Sequence, residues 1–110
     1  MNNSDTGVVV VYCTAPPHES EVLAHTLLQE GLVACVNLVP VQSVYRWEGA
    51  VYDEAEVLMV IKTRTDVVDE LTEKIQQIHP YKQPEVIVLP VTGGSKDYLQ
   101  WVINEIPKKK

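Results

Sequence analysis

The sequence predicts a single α+β domain of the ferredoxin-like type, with the order βαββαβ, a long hairpin between the second and third strands, and an extra C-terminal helix. Three observations support this fold class. Short β-branched runs alternate with amphipathic runs of helical period, their connections are short, and one hairpin is much longer than the other elements. Short connections and right-handed crossovers predict the sheet order 4-1-3-2, with strands 1 and 2 opposite in direction to strands 3 and 4.

The first strand and the first helix have clear boundaries. The run VVVVYCTA, residues 8–15, is short and apolar on both faces, as in a buried strand, and Pro16 and Pro17 end it. A helix follows, and Gly31 is placed to terminate it. The apolar face predicted for this helix consists of Val22, Leu23, Leu27 and Leu28.

The long hairpin is predicted over residues 32–65, with its turn at Glu48-Gly49. Pro40 lacks an amide donor, which indicates a bulge or an edge position in the first arm. Each arm of about 14 residues spans ~46 Å, whereas a compact domain of this size has a radius of gyration of about 13 Å. The hairpin must therefore extend beyond its own core. Its outer part carries Val44, Tyr45, Trp47, Val51 and Tyr52.

The second half of the chain predicts two more helices around a fourth strand. Asp66 is predicted to cap the second helix, which Pro80 stops after Ile78. The fourth strand covers residues 85–91, and Ser95 caps the last helix. The predicted core positions are Val67, Val68, Leu71, Ile75 and Ile78 in the second helix and Leu99, Val102, Ile103 and Ile106 in the last.

The composition limits the domain organisation and the partners. We expect one domain over residues 1–110, with a flexible N-terminus at 1–7 and a flexible basic tail at 107–110. A net charge of −6 disfavours nucleic acid. No apolar run approaches the roughly 20 residues that span a bilayer, so no membrane partner is expected. The N-terminus lacks a secretory signal, which predicts a cytoplasmic location and reduced cysteines.

The apolar pattern predicts association with further copies of the chain. Two helices cover only one face of a sheet, yet the first and fourth strands are apolar on both faces. Either the last helix or neighbouring subunits must cover the second face. A monomer whose third helix is fully used is the alternative interpretation.

The predicted topology brings Cys13 and His79 to one edge of the sheet, together with Tyr81 and Glu85. A thiolate and an imidazole are suitable ligands for copper or for Zn(II). The alternative roles are a buried core residue for Cys13 and a helix-end imidazole for His79. A catalytic pair of nucleophile and base is a further interpretation, although no catalytic motif accompanies it. Cys35 and Lys62 are predicted at the opposite edge.

Five segments resemble the CutA family of divalent-cation tolerance proteins, in the order and spacing of that family. The most specific is HPYKQPE, which follows a CTAP strand and a YRWEG turn. The five segments are VVVYCTAPP, GLVACVNLVPVQSVYRWEG, EAEVLMVIKT, HPYKQPEVIVLPV and DYLQWV.

The resemblance implies a cytoplasmic homotrimer of ferredoxin-like fold, linked to copper and other divalent metals and similar in architecture to PII-type signalling proteins. The metal-binding cysteine of the family corresponds to Cys13, and the histidine of its HPY segment corresponds to His79. Some members carry a second histidine where this chain has Ile78. The resemblance therefore implies copper as cofactor, with weak binding of Cu(II) or Zn(II), in a trimeric metal-response protein.

A second function class is a PII-like small-ligand sensor with sites in the clefts between subunits. Its site would include Lys62, Glu56 and Tyr81, and metal binding would be incidental. An enzyme ranks third, and we expect no enzymatic activity. Cys35 corresponds to another family cysteine, and either it or Lys62 could join the metal site across a subunit boundary.

Overall fold

A computed structural model describes residues 5–107 and contains the predicted elements in the predicted order. A single turn of 3-10 helix, Thr65–Val67, precedes the second α-helix. The elements are β1 (Val8–Ala15), α1 (Ser20–Gln29), β2 (Cys35–Trp47), β3 (Ala50–Arg64), α2 (Val68–Ile78), β4 (Ile87–Pro90) and α3 (Lys96–Glu105). No helix among these residues is both long enough and apolar enough to span a bilayer.

The sheet order is β2-β3-β1-β4, and each neighbouring pair is antiparallel. The predicted order and strand directions are therefore confirmed. β2 is an edge strand, and Pro40 pairs with Val57 without interrupting the register, so the proline marks an edge and not a bulge. β4 is the other edge and is shorter than the predicted run of residues 85–91.

Helices α1 and α2 cover one face of the sheet. The core on this face consists of the alternate residues of β1 and β3 packed against the two helices, namely Val11, Cys13, Met59, Ile61, Leu27, Leu71 and Ile75. The opposite face is covered at one end by α3, where Arg64 Nη1 donates to the carbonyl of Ile106 at 2.9 Å. The rest of that face stays partly open, and Ile87 is 50% exposed. This observation agrees with the predicted uncovered face.

The hairpin turn and overhang are confirmed. Glu48 and Gly49 have φ values of 48° and 83°, as a type I′ turn requires. β1 pairs with β3 only as far as Val57, so residues 50–56 of β3 pair with β2 alone. The described chain measures 43 × 27 × 22 Å, and the hairpin accounts for its elongation.

Two predictions about the helices are wrong in detail. The buried stripe of α1 is Ser20, Leu23, Ala24 and Leu27, while Val22 and Leu28 are 68% and 43% exposed. Adjacent residues lie about 100° apart on a helix, so the i, i+3, i+4, i+7 spacing from Ser20 excludes both. Asp66 does not cap α2, which begins after Val67 without a side-chain cap. Instead Arg64 binds both carboxylate oxygens of Asp66, at 2.9 and 2.7 Å.

The predicted flexible ends are described only in part. Residues 1–4 and 108–110 lie outside the described residues. Within the segment predicted to be flexible, Thr6 Oγ1 donates to the carbonyl of Val91, and the carbonyl of Gly7 accepts from the N–H of Thr65. These bonds anchor the chain directly before β1.

Candidate functional site

Cys13 and His79 are neighbours at the edge of the sheet where β1 and α2 end. Cys13 is 1% exposed and His79 is 7% exposed. The backbone carbonyl oxygen of Thr14 connects them, because it lies 3.7 Å from Cys13 Sγ and 2.8 Å from His79 Nε2. The structure thus places these two side chains, which are 66 positions apart, at the same carbonyl oxygen.

The imidazole of His79 uses both ring nitrogens for backbone hydrogen bonds. A carbonyl oxygen only accepts, so Nε2 carries the proton that it donates to Thr14. Nδ1 accepts from the backbone N–H of Tyr81 at 3.0 Å. This network assigns the ring as the neutral Nε2–H tautomer. His79 also ends α2 in the extended conformation that a following proline favours.

The thiol of Cys13 is held in its neutral form. Burial raises its pKa to about 12, and the negative charges of Glu85 and Glu56 act in the same direction. Metal ligation and nucleophilic attack both need a thiolate. The side chain faces the hydrophobic core between the sheet and the helices.

In this arrangement the pair does not fit a bound metal ion. The thiol is protonated, and neither nitrogen of His79 has a free lone pair. Within residues 5–107, no group of three or more His, Cys, Asp and Glu side chains is placed to hold an ion. A metal would require His79 to leave Thr14 or Tyr81. Metal binding at Cys13 and His79 thus stays a prediction that needs a rearranged site.

A cleft of about 880 Å³ lies beside the pair, between the overhanging hairpin and the loop that joins α2 to β4. It exists because the hairpin continues past the end of β1. Its walls combine aromatic, amide and charged side chains. They are Thr14, Gln42, Ser43, Val44, Tyr45, Trp47, Glu48, Glu56, Pro80, Tyr81, Lys82, Gln83 and Glu85.

The most buried charged group of the cleft is Glu56, which is 5% exposed. Its Oε2 accepts a 2.5 Å hydrogen bond from the phenol of Tyr81. Burial and this bond raise the pKa of Tyr81, so the phenol remains a donor. Burial also raises the pKa of Glu85, and the charge of Glu56 adds to the effect. The cleft therefore holds two carboxyl groups that repel each other in a partly desolvated place.

Lys62 does not belong to this cleft within one subunit. It pairs with Cys35 across β2 and β3, and its Nζ lies 4.0 Å from Cys35 Sγ. Both residues are at the opposite edge from Cys13, as predicted. Of the ligand site predicted for the sensor alternative, the structure brings together only Glu56 and Tyr81.

Sequence reasoning missed several polar residues of the cleft. Gln42 and Ser43 lie on the hairpin arm opposite Ala55 and Glu54, and Lys82 and Gln83 lie in the loop after α2. The register of the hairpin could have indicated the first two, since it fixes which residues flank Glu56. Nothing in the sequence indicates the path of the loop.

Comparison with known proteins identifies relatives over nearly the whole chain. Residues 9–105 match the model of the family described as CutA1 divalent ion tolerance protein. Protein CutA, chloroplastic, from Arabidopsis thaliana is 50% identical over 98 residues, which cover 87% of this chain and 54% of that protein. The chain thus spans about half the length of this plant relative.

Two solved structures extend the similarity to the fold. CutA1 from Oryza sativa superimposes with a TM-score of 0.90 at 44% identity, covering 96% of this chain and 99% of that one. A chain from Nostoc sp. PCC 7120, described as a PII-like protein CutA in apo form, gives a TM-score of 0.86 at 37% identity. That match covers 90% of this chain and 97% of the Nostoc chain.

Proposed function

This chain belongs to the CutA1 divalent ion tolerance protein family, and on that premise we propose that it is a PII-like small-ligand sensor acting as a homotrimer in the response to divalent cations. The observation that carries this proposal is the cleft beside Glu56. It combines a concave shape, aromatic walls and a few converging polar groups, which together are typical of small-molecule sites. The description of the Nostoc relative as PII-like agrees with it.

The open sheet face supports assembly into a homotrimer. Apolar side chains exposed on that face and on the hairpin overhang are unfavourable in water and would be covered by neighbouring subunits. The most exposed are Val44 at 66%, Val51 at 63% and Ile87 at 50%. Light scattering at micromolar concentration should give the mass of three chains, and a stable monomer would contradict the proposal.

Trp47→Ala should weaken the assembly if its ring lies between subunits.

The cleft is tested by filling it. Gln42→Trp introduces a large ring into the cleft wall, whereas Gln77→Trp introduces the same ring on the exposed surface of α2. Isothermal titration with nucleotides and with a panel of small amines and carboxylates should detect a ligand for the natural protein. The first variant should lose that ligand and the second should retain it. Equal binding by both variants would show that the ligand does not bind in the cleft.

Weak binding of Cu(II) or Zn(II) at Cys13 and His79 is the second candidate function. It is favoured by the contact of both side chains with Thr14 and by the name of the family. Binding would have to displace a backbone hydrogen bond of His79 and the thiol proton, which predicts low affinity. Affinity should fall at acidic pH, because a protonated imidazole cannot coordinate a metal.

The metal hypothesis has a matched control. Cys13→Ser and His79→Ala should each reduce copper or zinc uptake and leave the trimer intact. His18→Ala removes an imidazole that is 79% exposed and should have no effect. Unchanged uptake in both test variants would contradict the site.

A cytoplasmic location is part of the proposal, and it is tested by fractionation of the producing cell.

A further inference from the structure

Building on the proposed sensor function, we infer that the ligand of the cleft is a small organic cation, in which a protonated amine is joined to an aromatic or other apolar group. Three features of the cleft favour this chemical class: the charges that line it, the accessible Oε1 of Glu56, and the aromatic walls.

The charge of the cleft is negative. Three glutamates line it, Glu48, Glu56 and Glu85, against a single lysine, Lys82, which is exposed. A phosphate or a dicarboxylate would be repelled by this set, because the carboxylates lie in a concave and partly desolvated place where charges are poorly screened. An ammonium group would be attracted by the same set.

Glu56 provides a specific place for that ammonium group. It is 5% exposed, and its hydrogen bond to Tyr81 occupies only Oε2. Among residues 5–107, no donor reaches Oε1 of this carboxylate. Oε1 is not a fully buried unpaired atom, so it is accessible from the cleft, where a charged donor forms a stronger hydrogen bond than a neutral one. A protonated amine supplies that donor and relieves the repulsion between Glu56 and Glu85.

The remainder of the cleft is suitable for an apolar group. The rings of Tyr45 and Tyr81 line it, next to the part of the hairpin overhang that neighbouring subunits would cover. Aromatic faces attract cations as well as apolar rings, so they reinforce the preference for a ligand that carries both. The amide of Gln83 lies in the wall for a hydroxyl or carbonyl substituent, whereas Gln42 Nε2 already donates to Asp53 Oδ1 at 2.6 Å.

The test uses three probes that share a phenyl ring and differ in charge. Tyramine is the cation, 4-ethylphenol is the neutral analogue, and 4-hydroxyphenylacetate is the anion. Isothermal titration of the full-length protein at pH 7.5 should give an affinity for tyramine at least tenfold higher than for either analogue. Raising the salt concentration should weaken tyramine binding and leave 4-ethylphenol unchanged.

Replacing single glutamates with glutamine shows which carboxylates attract tyramine. Glu56→Gln and Glu85→Gln should each lower tyramine affinity tenfold or more and leave 4-ethylphenol unaffected. Glu105→Gln removes one negative charge at the exposed end of α3 and should leave tyramine binding unchanged. The two test variants are independent, so a folding defect in one leaves the other as a valid measurement.

The outcomes separate this inference from the proposed function. If 4-hydroxyphenylacetate or a nucleotide binds as tightly as tyramine and Gln42→Trp abolishes that binding, the preference for a cation is wrong but the cleft is a ligand site. If tyramine does not bind, the inference is overturned. If no compound of the wider panel binds either, the proposed function fails with it.

Discussion

Replacing Tyr81 with phenylalanine tests the hydrogen bond between two side chains that line the cleft. The phenol of Tyr81 donates a 2.5 Å hydrogen bond to Glu56, a carboxylate that is 5% exposed. Tyr81→Phe keeps the ring and removes only this donor. Glu56 would then be buried without any hydrogen-bond donor, which is more costly than losing a bond that water can replace.

The expected loss follows from the charge and the burial of the acceptor. Hydrogen bonds to charged groups contribute about 1.5–3 kcal/mol to protein stability, and burial favours the upper half of that range. A slope of ~4 kcal/mol per M in guanidinium chloride converts a loss of about 2.5 kcal/mol into a midpoint shift of about 0.6 M. Measurements must be made at one protein concentration, since the proposed homotrimer would unfold in a concentration-dependent way.

The hairpin contains a matched control for this measurement. Tyr45 donates a 2.6 Å hydrogen bond to Glu54, but both residues are exposed. Tyr45→Phe removes the same chemical contact where water can replace it, so the loss should stay below about 1 kcal/mol. Equal losses at the two sites would refute the reasoning, because the difference depends only on burial. A double-mutant cycle with Glu56→Gln should show that the Tyr81 effect requires the carboxylate.

Three further predictions concern other parts of the chain. Iodoacetamide at pH 8 should modify half-exposed Cys35 and spare Cys13 in the folded protein, because burial raises the pKa of Cys13 to about 12. Cleavage after glutamate places the two cysteines on different peptides, and mass spectrometry of these peptides shows which one is modified. Glu85→Gln should raise the free energy of unfolding at pH 7, because burial raises the pKa of Glu85 and makes its ionised form unfavourable in the folded state. That gain should vanish below about pH 4.5, the usual pKa of the group, where the unfolded chain is also protonated. Gly49→Ala should cost about 1 kcal/mol at a φ of 83°, whereas Gly93→Ala, with open space and no positive φ, should be neutral, and denaturant midpoints compare the two.

The fold was predictable because its signals are local and mutually consistent. Gly31 ends α1 with a φ of 72°, the Glu48-Gly49 turn fixes the hairpin register, and Ser95 caps α3 by accepting from the N–H of Tyr98. Each of these signals depends on a few adjacent residues. The errors occurred where one local pattern competes with another. Asp66 satisfies the local rule for a cap, but Arg64 binds its carboxylate.

The candidate site was predictable in position and not in chemical state. Topology alone brings Cys13 and His79 to one edge, and the chain does so. The sequence does not reveal that the Thr14 carbonyl accepts a hydrogen bond from the imidazole. That bond depends on the exact position of the end of α2 relative to the end of β1. The sequence also does not reveal the cleft, whose walls come from the hairpin overhang and from the path of a loop without regular structure.

The charges beside the cleft, and not unpaired polar atoms, indicate where stability is reduced. Within residues 5–107 every fully buried side-chain nitrogen and oxygen has a hydrogen-bond partner. Thr63 donates to the carbonyl of Leu32, and both nitrogens of His79 are bonded. Glu85 differs, since its pKa is raised by burial and by the nearby charge of Glu56. A chain selected only for stability would replace Glu85 with a neutral residue. Its presence beside a cleft is explained if a ligand supplies the missing positive charge, and the stabilisation expected for Glu85→Gln would then accompany a loss of binding.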